Sequence, residues 1–145
     1  RVTVQGTMST TQDFERVVIG QIASANGTHV VKPLGMTNKA LGGGDWRYDP
    51  AAQTGQRGVF GGSGPNNIGM LVRIYGRLTP CDDGNFFVDD GSGPVLCWLP
   101  KGVEFDPSWE FAGVTGISSC RFDGTHVSRL LRVLEVDPLV NLKGI

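Results

Sequence analysis

The chain contains few histidines, few cysteines and almost no net charge. Its 145 residues include two His and three Cys, and the charged residues sum to −1 at pH 7. Strong electrostatic binders of nucleic acid usually carry a basic excess, so this balance argues against that class. No apolar run is long enough to cross a membrane. No Gly-x-Ser-x-Gly, His-Glu-x-x-His or P-loop motif is present, so we predict a non-enzymatic protein without a cofactor.

Sustained helical periodicity is also absent, whereas glycine and proline are plentiful. The chain has 22 Gly and 8 Pro, which are residues typical of turns. Between these turns lie short apolar runs, several of which alternate with polar residues. We therefore predict an all-β protein, either one domain or one domain with an appendage. The chain is large enough to bury a core without the support of disulfides or metal ions.

Five strand-like runs follow one another in the second half of the chain. The first is Met70 to Leu78, and the next two flank the turn Asp89 to Gly93. The last two are Phe111 to Cys120 and Val127 to Val136. Glycine supplies positive φ, and Asp and Ser bond back to nearby backbone, so the central turn predicts a hairpin. Together the runs predict a small antiparallel barrel, closed or half-closed.

These residues resemble the OB-fold. A long first strand has a glycine near its end, Gly76, and is followed by the hairpin FxVDDGSGxVxCxL at Phe86 to Leu99. The linker Lys101 to Glu110 stands where many OB-folds carry a short helix. The resemblance implies an OB-like five-stranded antiparallel barrel over residues 70–145. The hairpin is also similar to that of single-strand-binding OB-folds.

Three further strings resemble those that accompany OB modules found in tandem in secreted bacterial proteins. They are VxVxGTMST at Val2 to Thr10, PLGMTN at Pro33 to Asn38 and NNIG at Asn66 to Gly69. This resemblance implies an extracellular or cell-surface location. The chain begins at Arg1 without a methionine, which we interpret as removal of an N-terminal segment or as a fragment of a longer chain.

Residues 1–25 are predicted to form a β-hairpin that repeats half of the barrel. Val4, Gly6, Ser9 and Asp13 match Val114, Gly116, Ser119 and Asp123 at an offset of 110. Arg16, Val17 and Val18 match Arg129, Leu130 and Leu131 at an offset of 113. An isolated hairpin is marginal in water, so this one should pack on its own barrel, pair with another chain or belong to a preceding barrel. The candidate assembly residues are Val2, Val4, Val17, Val18 and Ile19.

Residues 26–69 are predicted to be a long, ordered, glycine-rich connecting loop. Ten of the glycines lie between Pro33 and Gly69, and ordering them costs conformational entropy. We therefore expect something to hold the loop down, and a neighbouring chain is one candidate. Trp46, Tyr48 and Trp109 are either anchors for the loop or platforms that stack on sugar rings. Within the loop, His29 to Val31 is a candidate short strand, and Asn26-Gly27-Thr28 fits an N-glycosylation sequon.

A second candidate site lies on the barrel itself. Alternation along the first barrel strand places Arg73, Tyr75 and Arg77 on one face, and Trp98 lies on the third strand. These four residues form a candidate stacking and phosphate-contact face. In the alternative, Tyr75 and Trp98 pack beneath the long loop and the arginines are solvated.

No metal site is predicted. Asp82-Asp83-Gly84 and Asp89-Asp90-Gly91 offer oxygens to calcium, but their spacing is not that of an EF-hand, and we favour two tight turns. The spacing of Cys81, Cys97 and Cys120 matches no zinc pattern. Two alternatives stay open for these cysteines: one disulfide plus one free thiol, or three buried thiols.

Three functions follow from these features. The first is a structural, self-assembling extracellular subunit that shares its hairpin and loop with a neighbouring barrel, so that its partner is itself. The second is an accessory carbohydrate-binding module of a secreted protein, with a polysaccharide as partner. The third is a single-strand nucleic-acid binder, which the charge balance disfavours.

Overall fold

The computed structural model describes residues 2–25, 27, 30–81 and 83–139. Within these ranges the protein forms ten β-strands and one short 3-10 turn at Asn38–Ala40. The strands are β1 Val2–Thr10, β2 Arg16–Ala25, β3 Leu34–Gly35, β4 Trp46–Asp49, β5 Thr54–Gln56, β6 Leu71–Pro80, β7 Phe86–Asp89, β8 Pro94–Trp98, β9 Phe111–Phe122 and β10 Val127–Pro138. The predicted all-β class is confirmed. Across the described ranges, no helix has the length and apolar character needed to cross a membrane.

The largest sheet contains β3 and the five strands from β6 to β10. Its order is β3-β6-β7-β8-β10-β9, and β9 also pairs with β6. Around these five strands every pair is antiparallel except β8–β10, which is parallel. The prediction of an entirely antiparallel arrangement was wrong at this one pair. Residues 99–110 and β9 intervene between β8 and β10, so β10 returns in the direction of β8.

The hydrophobic core is formed by the side chains on one face of this sheet. Alternate side chains of each strand point inward, which is the period-two pattern that predicted the strands. The inward residues include Val72 and Ile74 of β6, Phe86 and Val88 of β7, Val95 and Cys97 of β8, Val114 of β9, and Leu131 and Val133 of β10. Leu41, from the connecting segment, is also fully buried in this cluster. On β10, apolar on both faces, Leu130 is buried but Leu134 is 55% exposed, so only part of its outer face is covered.

The connecting segment, residues 30–69, is held by its own chain. Asn38 is 1% exposed, and its Nδ2 donates to the carbonyl oxygens of Val88 and Gly93 at 2.8 and 2.9 Å. Asn67 plays a similar part, because its Oδ1 accepts from Ser118 Oγ of β9 and from Gly42 N–H, and its Nδ2 donates to Ala40 O. The chain itself therefore supplies contacts that hold this segment down, the role for which a neighbouring chain was one candidate. Buried side-chain amides bridge the glycine-rich turns to the large sheet.

Several predicted features lie outside the described residues. These are Asn26 and Thr28 of the sequon, His29 of the predicted short strand, Asp82 of the first acidic turn, and the chain after Leu139. The segment predicted as a loop also contains β3, β4 and β5. The short β4–β5 hairpin forms a two-stranded sheet of its own.

Candidate functional site

The N-terminal hairpin β1–β2, hereafter the arm, is little covered by the rest of the described chain. Its strands pair only with each other, from Val2 opposite Ala25 to Thr10 opposite Arg16. Directly opposed side chains of an antiparallel pair lie on the same face. One face, hereafter face A, therefore carries Val2, Val4, Gly6, Met8, Thr10, Arg16, Val18, Gly20 and Ile22.

Face A is apolar and exposed to solvent. Val2, Val4, Met8, Val18 and Ile22 are between 47% and 68% exposed. Apolar side chains on one face of an antiparallel sheet normally pack against the core. Full burial of each such side chain contributes about 1.5–3 kcal/mol to the stability of the folded state. The arm thus presents, without a cover, a surface of the kind that proteins use for association.

The opposite face of the arm is mostly polar. It carries Thr3, Gln5, Thr7, Ser9 and Gln21, together with two apolar residues, Val17 and Ile19. The predicted assembly residues are therefore divided between the two faces. Val2, Val4 and Val18 lie on face A, whereas Val17 and Ile19 lie on the other side. Met8 and Ile22 were missed, although they stand at the alternating positions that would have identified them.

The turn of the arm, residues 11–15, is fixed to the large sheet. Asp13 Oδ1 accepts a hydrogen bond from the backbone N–H of Phe122 at 2.9 Å. The rings of Phe14 and Phe122 meet edge to face, with centroids 5.1 Å apart. Glu15 Oε2 accepts from Ser119 Oγ at 2.9 Å and lies 3.5 Å from Arg132 Nη2. The arm is therefore attached at its turn, and both strands extend away from this attachment.

Gln56 of β5 provides a second attachment. Its Oε1 accepts from the backbone N–H of Arg16 at 2.8 Å, and its Nε2 donates to Phe14 O at 2.9 Å. A cavity of about 550 Å³ lies between the base of face A and the β4–β5 hairpin. Met8, Phe14, Arg16 and Tyr48 are among its lining residues. This places Tyr48 beside the arm.

A buried thiol lies beneath the turn of the arm. Cys120 Sγ donates to Asp13 O at 3.1 Å. Burial, with smaller contributions from the charges of Glu15 and Asp13, raises the pKa of this thiol to about 12. Burial also raises the pKa of Cys97 far above its ordinary value. Cys97 and Cys120 are thus buried thiols, as one of the two alternatives predicted, and Cys81 is half-buried.

The predicted stacking face is not brought together. Arg73 donates to Tyr75 Oη and Thr115 Oγ1, both at 2.9 Å, and pairs with Asp137 at 2.6 Å. Burial lowers the pKa of Arg73, but its hydrogen bonds to Asp137 and Tyr75 outweigh that effect and raise the pKa above the ordinary value. The Arg73 guanidinium is consequently engaged within the protein.

Trp98 lies on a strand that is not adjacent to the strand of Arg73 and Tyr75. It lies on β8 opposite Arg132 of β10, whose guanidinium is 5.9 Å from the Trp98 ring centroid. Strand β7 separates β8 from β6 on one side, and β10 and β9 separate them on the other. Trp98 and Tyr75 are both partly exposed, at 44% and 46%, so they do not pack beneath the connecting segment. Arg77 is exposed.

The three candidate anchors have different surroundings. Trp109 is half-buried, packs against the core and meets Phe105 edge to face. Trp46 is 59% exposed on β4, so the interpretation of this residue as an anchor was wrong. The guanidinium of Arg47 is 5.9 Å from the centroid of the Trp46 ring. The sugar-stacking interpretation of Trp46 stays a prediction.

The Asp side chains of the two acidic turns accept hydrogen bonds from backbone N–H groups of the same turns. Asp83 Oδ1 and Asp89 Oδ1 each accept from the backbone N–H two residues later. Asp90 accepts from Ser92 and, through Oδ2, from Asn38 N–H at 2.9 Å. These bonds are the turn chemistry that the sequence favoured over calcium binding. Among the residues that the structure describes, no group of acidic, His or Cys side chains is arranged to hold a metal.

Comparison with known proteins adds little. No protein family model and no curated protein matches the chain. Among solved structures, a DUF3299 family protein from Pseudomonas aeruginosa PAO1 is similar over 75% of this chain and 97% of its own, with a TM-score of 0.44 and 14% identity. A likeness this distant supports no argument about function.

Proposed function

We propose that this chain is a non-enzymatic, extracellular structural module whose arm joins an OB-like barrel to a neighbouring β-unit by strand sharing. The observation that carries the proposal is face A, an exposed apolar sheet face on an arm whose attachments, among the described residues, lie at its turn and at the first residue of β2. The ring of pairings β6-β7-β8-β10-β9-β6 supports the OB-like part, because an OB-fold is a five-stranded Greek-key barrel.

The arm alone carries this proposal. The sequence also predicts sharing of the connecting segment, but Asn38 and Asn67 bind that segment to its own sheet. Within the described part of the chain, the outer edges of β1 and β2 pair with no other strand, and both these edges and face A favour addition of further strands. Without another β-unit, the available neighbour is a second copy of the chain.

Self-association of the 145-residue chain tests the proposal. Light scattering on a sizing column should show a mass that rises above 15.5 kDa with concentration. A Val4→Lys, Ile22→Lys double variant places two charges on face A and should remain monomeric. Ile19→Lys is the matched control, because Ile19 is also exposed but lies on the opposite face. A wild-type chain that stays monomeric at every concentration would contradict self-association.

Carbohydrate binding is the second candidate, and the exposure of Trp46 favours it. An exposed indole offers a flat apolar surface to the CH groups of a pyranose ring. Retardation of the protein in gels that contain a soluble polysaccharide would reveal such binding. Trp46→Ala should abolish the retardation, whereas Trp98→Ala, another exposed tryptophan on a distant strand, should not. Equal migration in all polysaccharide gels would reject this candidate.

A further inference from the structure

We infer that the arm is the closing hairpin of a second barrel-like unit, and that face A is covered by a three-stranded antiparallel β-meander that precedes the arm in the same polypeptide. The inference rests on the proposed function, because it names the neighbour that the arm joins. It is carried by a comparison of the arm with β9–β10.

Over five consecutive residue pairs, the two hairpins have the same register. In the arm, Gly6 through Thr10 pair in order with Gly20 through Arg16. In the large sheet, Gly116 through Cys120 pair in order with Val133 through Arg129. The sequence offsets of 110 and 113 convert each of these five arm pairs into the corresponding pair of β9–β10. The sequence repeat is thus also a repeat of strand pairing.

The backbones of the two hairpins approach each other equally closely at equivalent positions. A methyl group at Gly6 would overlap the carbonyl oxygen of Ile19, and one at Gly116 would overlap the carbonyl oxygen of Arg132. Arg132 stands 113 residues after Ile19, which is the offset of the second strand. The same glycine therefore permits the same close approach in both hairpins.

Face A corresponds to the buried side of β9–β10. Val114, Leu131 and Val133 point into the core and are at most 1% exposed. Their equivalents in the arm are Val4, Val18 and Gly20, and all three lie on face A. Face A is thus the inner face of a barrel-like unit whose other strands are not among the described residues.

The hairpin β9–β10 shows which strands are missing. In the large sheet β9 pairs with β6 and β10 pairs with β8, so the hairpin closes the meander β6–β7–β8. In a second copy of the chain this meander is already occupied by its own closing hairpin. Displacing that hairpin would expose Leu131 and Val133, which are now buried, so a second copy is the less stable cover.

The order of the repeat places the missing meander before the arm. In the described chain the meander comes first, residues 99–110 follow, and β9 begins at Phe111. At an offset of 110, Phe111 corresponds to residue 1. The strands that cover face A should therefore be linked to the arm from its N-terminal side.

The test adds such a meander to the existing protein. A second copy of residues 69–110 is fused directly before Arg1 of the full chain. Amide exchange of Val4, Met8 and Val18 should slow at least tenfold relative to the unfused chain, and self-association through face A should disappear. The matched control is the same fusion with Ile74→Asp in the added copy, which places a charge on the inner face of the meander and should restore fast exchange.

A disulfide provides an independent readout of the pairing. Ile74 lies opposite Val114, the equivalent of Val4. Cysteines introduced by Ile74→Cys in the added copy and Val4→Cys in the arm should form a disulfide under mild oxidation, detected by peptide mapping. With Gln5→Cys on the opposite face, in place of Val4→Cys, no such disulfide should form.

The two proposals fail in different ways. Unchanged arm exchange in the fusion, together with no disulfide, overturns the preceding meander as the cover of face A. If the fusion still self-associates through face A, the neighbour is a second copy and only this inference falls. If the fusion leaves the arm unchanged and the unfused chain is also monomeric at every concentration, the arm joins neither kind of neighbour and the proposed function falls as well.

Discussion

The carboxylate of Asp13 accepts a hydrogen bond from the backbone N–H of Phe122, at a distance of 2.9 Å. Residues at the two ends of the chain are thereby joined where the arm meets β9. The bond matters because a partly buried N–H that loses its acceptor keeps the cost of its desolvation. The Asp13 carboxylate is therefore one of the contacts that fix the position of the arm.

Replacement of Asp13 should release the turn of the arm. Asp13→Ala leaves the Phe122 N–H without its acceptor, and we expect a loss of roughly 1–3 kcal/mol in the opening free energy at this position. Amide hydrogen exchange of Phe122 measures it. Asp13→Asn retains an acceptor oxygen and should lose less, while Asp49→Ala removes a carboxylate that caps only an exposed turn. Equal protection of Phe122 in all three variants would contradict the anchoring role.

Asn38 should be more sensitive to aspartate than to alanine. Its Nδ2 donates to two carbonyl oxygens, so Asn38→Ala should destabilise the protein by roughly 2–4 kcal/mol. Asn38→Asp replaces the donor with a buried oxygen that faces the same two carbonyls, and its cost should be larger. Urea unfolding of both variants gives the comparison. A fully stable Asn38→Asp protein would show that this amide does not hold the connecting segment.

Asp90 should make part of the stability depend on pH. Burial opposes its ionisation, but hydrogen bonds from Ser92 and Asn38 outweigh that effect and lower the pKa of Asp90 below its ordinary value of 3.8. A depressed carboxyl pKa stabilises the folded state above the unfolded pKa, and this contribution is lost as pH falls through the folded pKa. Asp90→Ala should therefore cost about 1 kcal/mol at pH 7.

The cost of Asp90→Ala should then shrink at low pH. Urea unfolding at pH 7 and at pH 2.5 measures the difference for wild type and variant. Asp49→Ala serves as the control. The Asp49 carboxylate accepts from backbone N–H groups in the turn of the β4–β5 hairpin, whereas Asp90 accepts from the backbone N–H of Asn38. A pH-independent difference for Asp90→Ala would mean that its charge plays no part.

Arg73 should behave as a structural residue. Arg73→Ala removes contacts to Tyr75, Thr115 and Asp137, and we expect a loss of about 1–2 kcal/mol in the free energy of unfolding. Arg73→Lys should recover little of this stability, because a lysine ammonium cannot reproduce the three contacts of the planar guanidinium. Arg77→Ala, at an exposed site of the same strand, should change stability by less than about 0.5 kcal/mol. A salt-dependent affinity for oligo-dT that Arg73→Ala abolishes without loss of stability would instead support nucleic-acid binding.

Sequence patterns located most strands because a half-buried strand requires a local alternation of apolar and polar residues. The alternation in β6 and the apolar runs of β9 and β10 predicted those strands to within two residues, and the repeat located the arm. The strands β3, β4 and β5 were missed because they are short and lie among glycines with little alternation. Their pairing depends on partners that are distant in sequence.

The candidate sites were harder to predict because side-chain partners are set by the tertiary structure. Tyr75 and Arg73 share a strand face, as alternation predicted, but the guanidinium turns to Asp137, which lies 64 residues later. Likewise the amides of Asn38 and Asn67 find carbonyls that no local pattern specifies. The exposed apolar face of the arm, in contrast, follows from alternation and from the lack of a second pairing partner.

The closure of the large sheet by β9 has a consequence for synthesis on the ribosome. Strand β6 can pair with β7 as soon as both have emerged, but its other edge must wait for β9. At about 5–20 residues per second, the 30 residues between Pro80 and Phe111 take roughly 2–6 s to be added. During that interval the nascent chain exposes the β6 edge and the arm together, so premature pairing between these two is the misfolding event that this topology most invites.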